Sequence, residues 1–200
     1  MTPIDRLTAR AVPLPAANMD TDQIFPARYM SRPRSGGFAD LAFRDHRFTA
    51  DGATKPDFVL NQPAYAGARI LVAGKNFACG SAREQAVHAL LDYGFRAVIA
   101  ESLGDIFASS APENGLLAVA VGPEAAQAIQ QRLAAEPGLA LTVDLERRSI
   151  EVPGLGMIAF AISERRREML MHGLDPLSQL LLMEPRIAAY EAAHDTAMPD

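Results

Sequence analysis

The chain has 200 residues, a formal net charge of −5, 49% hydrophobic residues and a single cysteine. That length and apolar content support one compact core, and the acidic balance excludes the basic footprint of a nucleic-acid binder. No apolar run approaches membrane-spanning length and residues 1–10 lack a signal peptide's hydrophobic region, so a cytoplasmic protein is expected.

The fold begins over residues 12–30, where Val12-Pro13-Leu14 and Ile24-Phe25 flank a polar turn holding Asn18, Asp20, Thr21 and Asp22. By itself, Asp-Thr-Asp reads as a turn or an Asx cap. A calcium loop is rejected, because the required Gly and distal Glu do not follow. From Arg28 to Gly37 the chain carries Arg28, Arg32 and Arg34 with Pro33, Gly36 and Gly37. This composition reads as a mobile surface loop, and a planar guanidinium there is suited to gripping a carboxylate with two parallel bonds. Residues 39–68, with turn signals at Asp51-Gly52 and Lys55-Pro56, are expected to be loop-rich with short helical pieces.

The rest of the chain is organised around Arg69 to Val121. Ile70–Ala73 is an apolar run of buried-strand length, followed by a loop with Gly74 and Gly80. A helix is predicted from about Ala82 to Tyr93, ended by Gly94, and Ala97–Ala100 forms a second apolar run. Strand, loop, helix and strand make a βαβ unit, in which ligands gather where the first strand feeds the helix. Ser81 to Glu84 has the Ser-x-x-Glu spacing of a capping box. The positive end of the helix and Arg83 make this terminus attractive to anions. A phosphate-binding P-loop is excluded, since Gly74 to Gly80 has the wrong spacing and no Lys-Ser/Thr follows.

Leu116–Val121 is a further strand candidate, and Pro123–Glu136 reads as an alanine-rich helix with Pro at its start. Ala140–Leu145, Ser149–Val152 and Met157–Ile162, joined by turn residues, suggest an antiparallel meander. The C-terminal third is predicted helical over Glu164–His172, Pro176–Met183 and Pro185–His194, with a frayed end through Pro199-Asp200. One domain over residues 1–200, with a helical extension from about residue 163, is the expected organisation. Cys79 alone can form no internal disulfide and hold no iron–sulfur cluster or structural zinc. His46, His88, His172 and His194 lack ligand spacing and read as solvated or structural.

Three motifs carry a family resemblance. They are Gly74-Lys75-Asn76-Phe77-Ala78-Cys79-Gly80-Ser81-Ala82-Arg83-Glu84, then Asn18-Met19-Asp20-Thr21-Asp22-Gln23-Ile24-Phe25-Pro26, and Arg166-Arg167 through Gly173-Leu174-Asp175. With Asp105-Ile106-Phe107 and Asn114-Gly115-Leu116-Leu117 they lie in order along nearly the whole chain, which resembles the swivelling domain of the aconitase superfamily in its free-standing small-subunit form. The resemblance implies an α/β swivelling domain with a βαβ core, a mixed sheet or barrel-like β region and flanking helices. It implies a hydro-lyase small subunit of leucine biosynthesis, interconverting 2- and 3-isopropylmalate by dehydration and rehydration. A large subunit carrying a 4Fe-4S cluster is the implied partner, in a heterodimer or larger assembly, and this chain binds no cofactor itself. The implied catalytic base is Ser81, with Arg83 and Arg34 binding substrate carboxylates. Asp22, Thr21, Gly80 and Glu84 are the implied supports of the site. The pattern departs from the family at Ala78 (usually Gly), Ala82 (Ser), Gln85 (His), Leu103 (Phe), Ser110 (Asn) and Ala118 (Pro). Two alternatives remain open at this point: a sibling hydro-lyase acting on a methyl- or dimethylmalate, and a non-catalytic assembly partner.

Overall fold

The sheet is built outward from one strand, β1 (Arg6–Leu14). The computed structural model describes residues 1–194, so the expected fraying through Pro199-Asp200 lies outside the described residues. After β1 come α1 (Thr21–Ile24), 3-10 turns at Ala27–Tyr29 and Arg34–Gly36, and α2 (Arg44–Arg47). Two more 3-10 turns, at Val59–Asn61 and Pro63–Tyr65, complete the short helical pieces expected over residues 39–68. Strands and helices then alternate as β2 (Ile70–Ala73), α3 (Glu84–Tyr93), β3 (Ala97–Ala100), α4 (Asp105–Glu113), β4 (Leu117–Ala120) and α5 (Pro123–Ala135). β5 (Ala140–Asp144), β6 (Ser149–Val152) and β7 (Gly156–Ala159) precede α6 (Glu164–His172), α7 (Pro176–Leu181) and α8 (Glu184–Ala193).

The seven strands form one mixed sheet in the order β4-β3-β2-β1-β5-β6-β7. On one side, β1 through β4 pair in parallel. On the other side β1 pairs antiparallel with β5, and β5–β7 form the expected antiparallel meander. The first half of β1, Arg6–Arg10, pairs with β5 and its side chains alternate between solvent and core. The second half, Ala11–Leu14, pairs with β2 and is buried throughout. That change marks the passage from a sheet with one wet face to one covered on both. Pro13 lies beyond the last β5 partner, so its missing N–H interrupts no β1–β5 ladder.

Two apolar clusters sandwich the parallel half. Val12, Leu71, Ala73 and Val98 face α3 and α4, which contribute Ala86, Val87, Leu90 and Phe107. The alternate residues Ala11, Ile70, Val72 and Ile99 face α5 and α6, which contribute Ile129, Leu133 and Leu170. Each such aliphatic side chain contributes about 1.5–3 kcal/mol by leaving water, which holds the carboxyl ends of β1–β3 in a fixed frame. α7 and α8, by contrast, contain no buried residue. No helix among the described residues is long and apolar enough to cross a membrane.

Candidate active site

The loop from Gly74 to Arg83 runs over the carboxyl ends of the parallel strands, where α/β sheets gather their ligands. Its backbone is paired on both sides. The segment after β1 supplies one rail: Asn18 N–H donates to the Lys75 carbonyl at 2.8 Å, Ala78 N–H to Met19 at 2.7 Å, and Thr21 N–H to Cys79 at 3.0 Å. The segment after β3 supplies the other. Phe77 N–H donates to the Ser102 carbonyl at 3.0 Å, Gly104 N–H to Phe77 at 2.8 Å, and Asn76 N–H to Ser102 Oγ at 2.8 Å. A Cβ on Gly104 would meet the Ala78 carbonyl oxygen at 2.6 Å, so only glycine allows this approach. Ala78 itself is left-handed at φ +57°, a conformation that strains an alanine and suits the glycine usual in the resembling family.

Beyond Ala78 the loop turns outward. Gly80 adopts φ +91°, and the buried Thr21 hydroxyl donates to the Ser81 carbonyl at 2.9 Å. Arg83, with an extended backbone, is the N-cap of α3 without a side-chain bond, and the helix opens at Glu84. The expected capping box therefore does not form, and the helix starts two residues later than predicted. The Thr21 hydroxyl holds Ser81 outside the helix, and Glu84 turns to His88, with Oε1 3.7 Å from Nε2. Glu84 thus does not brace the Ser81 loop. Among the described residues, no acceptor takes the N–H groups of Gly80, Ser81 and Ala82, and no group bonds the Ser81 hydroxyl. Free donors and a free hydroxyl at an uncapped helix terminus form a cradle for negative charge.

Arg83 and Asp22 meet beside this cradle. Arg83 Nη1 donates to Asp22 Oδ1 at 2.5 Å and to the Phe25 carbonyl at 3.2 Å. Asp22 Oδ1 also accepts from Ala27 N–H at 2.7 Å. The Arg83 hydrogen bond, aided by the Ala27 N–H, holds the Asp22 carboxyl below the usual carboxylate range. Both Arg83 bonds use Nη1, and among the described residues Nε and Nη2 have no acceptor. The Arg83 side chain is 15% exposed, so its charge sits in a largely desolvated position, where it acts more strongly than on open surface. Asp20 N-caps α1 by accepting from Gln23 N–H at 2.8 Å.

Ser81, Arg83 and Thr21 line a notch with Ala78, Ala82, Ile106, Phe107 and Ser110. The notch holds about 10 Å³, room for no more than one water. This chain alone cannot enclose a substrate there. Arg34 lies elsewhere, in a neighbouring cleft with Arg32, Phe38, Glu84, Gln85 and His88. Its Nη2 donates to Asp92 Oδ1 at 3.1 Å, while Asp92 Oδ2 accepts from Phe38 N–H at 2.9 Å. Arg32 pairs with Asp40 at 2.9 Å, and Arg28 pairs with Asp45. None of the three loop arginines reaches the Ser81 notch. Sequence reasoning missed Asp92 as the anchor of Arg34 and Ile106 as part of the notch wall. The signal for Ile106 was an apolar residue in the first turn of α4 beside an already buried Phe107.

The histidines are structural where their partners are seen. His46 bonds Gln23 at 3.0 Å and stacks on Phe58, and burial lowers its pKa, while His88 bonds Asn114 at 3.0 Å. Cys79 is a free thiol, and among the described residues no three His, Cys, Asp or Glu side chains converge. This chain's residues do not fit a four-iron cluster.

A mixed sheet with its loop cradle at the parallel strand ends defines a swivelling-type α/β domain, and the family described as the aconitase C-terminal domain matches residues 1–124. The chain is 44% identical over 194 residues to the 3-isopropylmalate dehydratase small subunit of Chloroflexus aurantiacus, covering 97% of this chain and 96% of that protein. It is 42% identical to the same-named subunit of Oceanobacillus iheyensis, covering 97% and 100%. The crystal structure of a 3-isopropylmalate dehydratase from Methanocaldococcus jannaschii shares the fold, with a TM-score of 0.65 at 22% identity over 92% of this chain and 99% of that one. The chain belongs to the aconitase C-terminal-domain family, among its 3-isopropylmalate dehydratase small subunits.

Proposed function

We propose that this chain is a single swivelling domain that acts as the small subunit of a cytoplasmic 3-isopropylmalate dehydratase, paired with a large subunit. The observation that carries the reading is the unengaged Ser81 hydroxyl at an uncapped helix terminus beside Arg83. The names of the full-length relatives support the reaction, a dehydration and rehydration of a hydroxy diacid. The partner is supported by the word small subunit in those names and by a notch too small to enclose a diacid.

In this reading, a substrate carboxylate takes the open Nε and Nη2 donors of Arg83, which Asp22 holds in place through Nη1. Ser81 Oγ, as the alkoxide, removes the proton from the carbon next to that carboxylate. A serine hydroxyl is not ionised near neutral pH, so this needs the free N–H groups of Gly80–Ala82, the α3 terminus and Arg83 to stabilise the negative oxygen. Thr21 holds the Ser81 carbonyl through its hydroxyl and so fixes the residue that carries the base. In the rehydration that completes the isomerisation, the Ser81 hydroxyl gives that proton to the neighbouring carbon, the one that lost the hydroxyl, and the hydroxyl adds to the carbon that was deprotonated. Departure of the substrate hydroxyl calls for a Lewis acid, which the iron–sulfur cluster of the large subunit would supply. Glu84 and Arg34 stand outside this chemistry in the present arrangement; Arg34 joins it only by exchanging Asp92 for a substrate carboxylate.

The test is turnover by the chain mixed with its large subunit against 2-isopropylmalate, 2-methylmalate and 2,3-dimethylmalate. The expected result is interconversion of the isopropylmalates at the highest kcat/KM and no activity from this chain alone. Absence of isopropylmalate turnover in the mixture, or turnover without the partner, would contradict the reading.

A further inference from the structure

We infer that Ile106 is a specificity-determining residue, the surface on which the alkyl branch of the substrate rests. The inference builds on Ser81 as the base of the proposed reaction. α4 buries Phe107 and Ala111 in the core, yet Ile106 is 51% exposed and lines the notch beside Ser81 and Arg83. An exposed isoleucine alone is ordinary surface. Its neighbours give it meaning. The notch lining divides by chemistry into the polar Thr21, Ser81, Arg83 and Ser110 and the carbon side chains of Ala78, Ala82, Ile106 and Phe107. Phe107 and Ala78 are already 3% exposed, so Ile106 supplies the large apolar area still in contact with water.

The reaction requires both sides at once. In 3-isopropylmalate the leaving hydrogen sits on the carbon that carries the isopropyl group. In 2-isopropylmalate the branch sits on the carbon that loses hydroxyl, next to the one deprotonated. In either direction the branch lies on or beside the carbon that Ser81 reaches, while Arg83 takes the carboxylate. Ile106 is the surface left for the branch. Contact between the two removes apolar area of both from water, and it favours a branched substrate over one with a smaller substituent.

The experiment measures kcat/KM for 2-isopropylmalate and for 2-methylmalate, with wild type, Ile106→Val and Ile106→Ala each paired with the large subunit. The isopropyl-to-methyl ratio comes from one preparation, so it does not depend on the folded fraction. The expected result is a graded fall in that ratio, severalfold for Ile106→Val and about 10- to 100-fold for Ile106→Ala. An unchanged ratio, or equal losses on both substrates, would overturn the assignment while leaving the proposed activity standing. A wild-type pair with no turnover of either diacid would overturn the activity itself, and the inference with it.

Discussion

The two halves of the sheet share a strand but not a task. The parallel half, β1 to β4, is buried on both faces and carries every residue of the notch on the loops and helices that follow its strands. The antiparallel half, β5 to β7, is wet on one side, ends in the exposed strand β7, and contributes none of them. Packing on two sides gives the parallel strand ends a fixed frame. Onto that frame the loop can hold a left-handed alanine, a feature that costs stability and that a softer scaffold would relax. The antiparallel half closes the second core without touching the chemistry. Activity and stability should therefore separate along the line of β1.

The sharpest separation is expected from Ser81→Ala. Removing the base should lower kcat by about 100- to 10,000-fold when paired with the large subunit. The melting curve should shift by less than about 0.5 kcal/mol, because the hydroxyl has no partner among the described residues. The mirror image is Ile150→Ala in β6, where the side chain is fully buried in the α5-side cluster. Denaturant unfolding should show a loss of about 2–5 kcal/mol, with kcat per folded molecule unchanged. A loss of kcat in Ile150→Ala would erase the distinction between the halves.

A smaller effect is expected at the Asp22–Arg83 contact. Asp22→Asn should raise KM severalfold by freeing Arg83 to wander, with a milder effect on kcat. The Asp22 pKa is depressed in the folded chain, so its contribution to stability is complete above the unfolded value of about 3.9 and is lost as pH falls through the folded value. The stability difference between wild type and Asp22→Asn should stay level from neutral pH down to about pH 5 and shrink below about pH 4. A difference that persists undiminished at pH 2 would mean that charge is not what holds the pair. The smallest effect concerns Ala78→Gly. Relief at φ +57° is partly offset by the greater freedom of an unfolded glycine, leaving a gain of about 0.5–1 kcal/mol by thermal unfolding.

Local pattern made the buried strands legible. Ile70–Ala73 and Ala97–Ala100 are continuous apolar runs, Ser149–Val152 alternates polar with apolar residues, and the three match β2, β3 and β6 residue for residue. The first half of β1 escaped notice because Leu7 and Ala9, set between Arg6, Thr8 and Arg10, leave little apolar signal. Its strand character comes from β5, which is remote in sequence. The start of α3 was misread for a similar reason. Ser-x-x-Glu is a local rule, and it lost to the Thr21 hydroxyl, 60 residues away, which holds the Ser81 carbonyl. The pairing of Asp22 with Arg83 spans 61 residues; the family resemblance implied a supporting role for Asp22 but did not name this partner. Arg34 shows the reverse case, a guanidinium suited to a carboxylate that finds one within its own chain, on Asp92.

Hydrogen exchange on the free chain and on its complex with the large subunit tests the division most directly. The N–H groups of Gly80, Ser81 and Ala82 have no acceptor among the described residues and should exchange rapidly in the free chain. Protection of residues 76–83 and 20–24 in the complex, with α5 and β5–β7 unchanged, is the predicted result. Protection confined to α5 or the antiparallel half, with the Ser81 loop still exchanging as in the free chain, would contradict it.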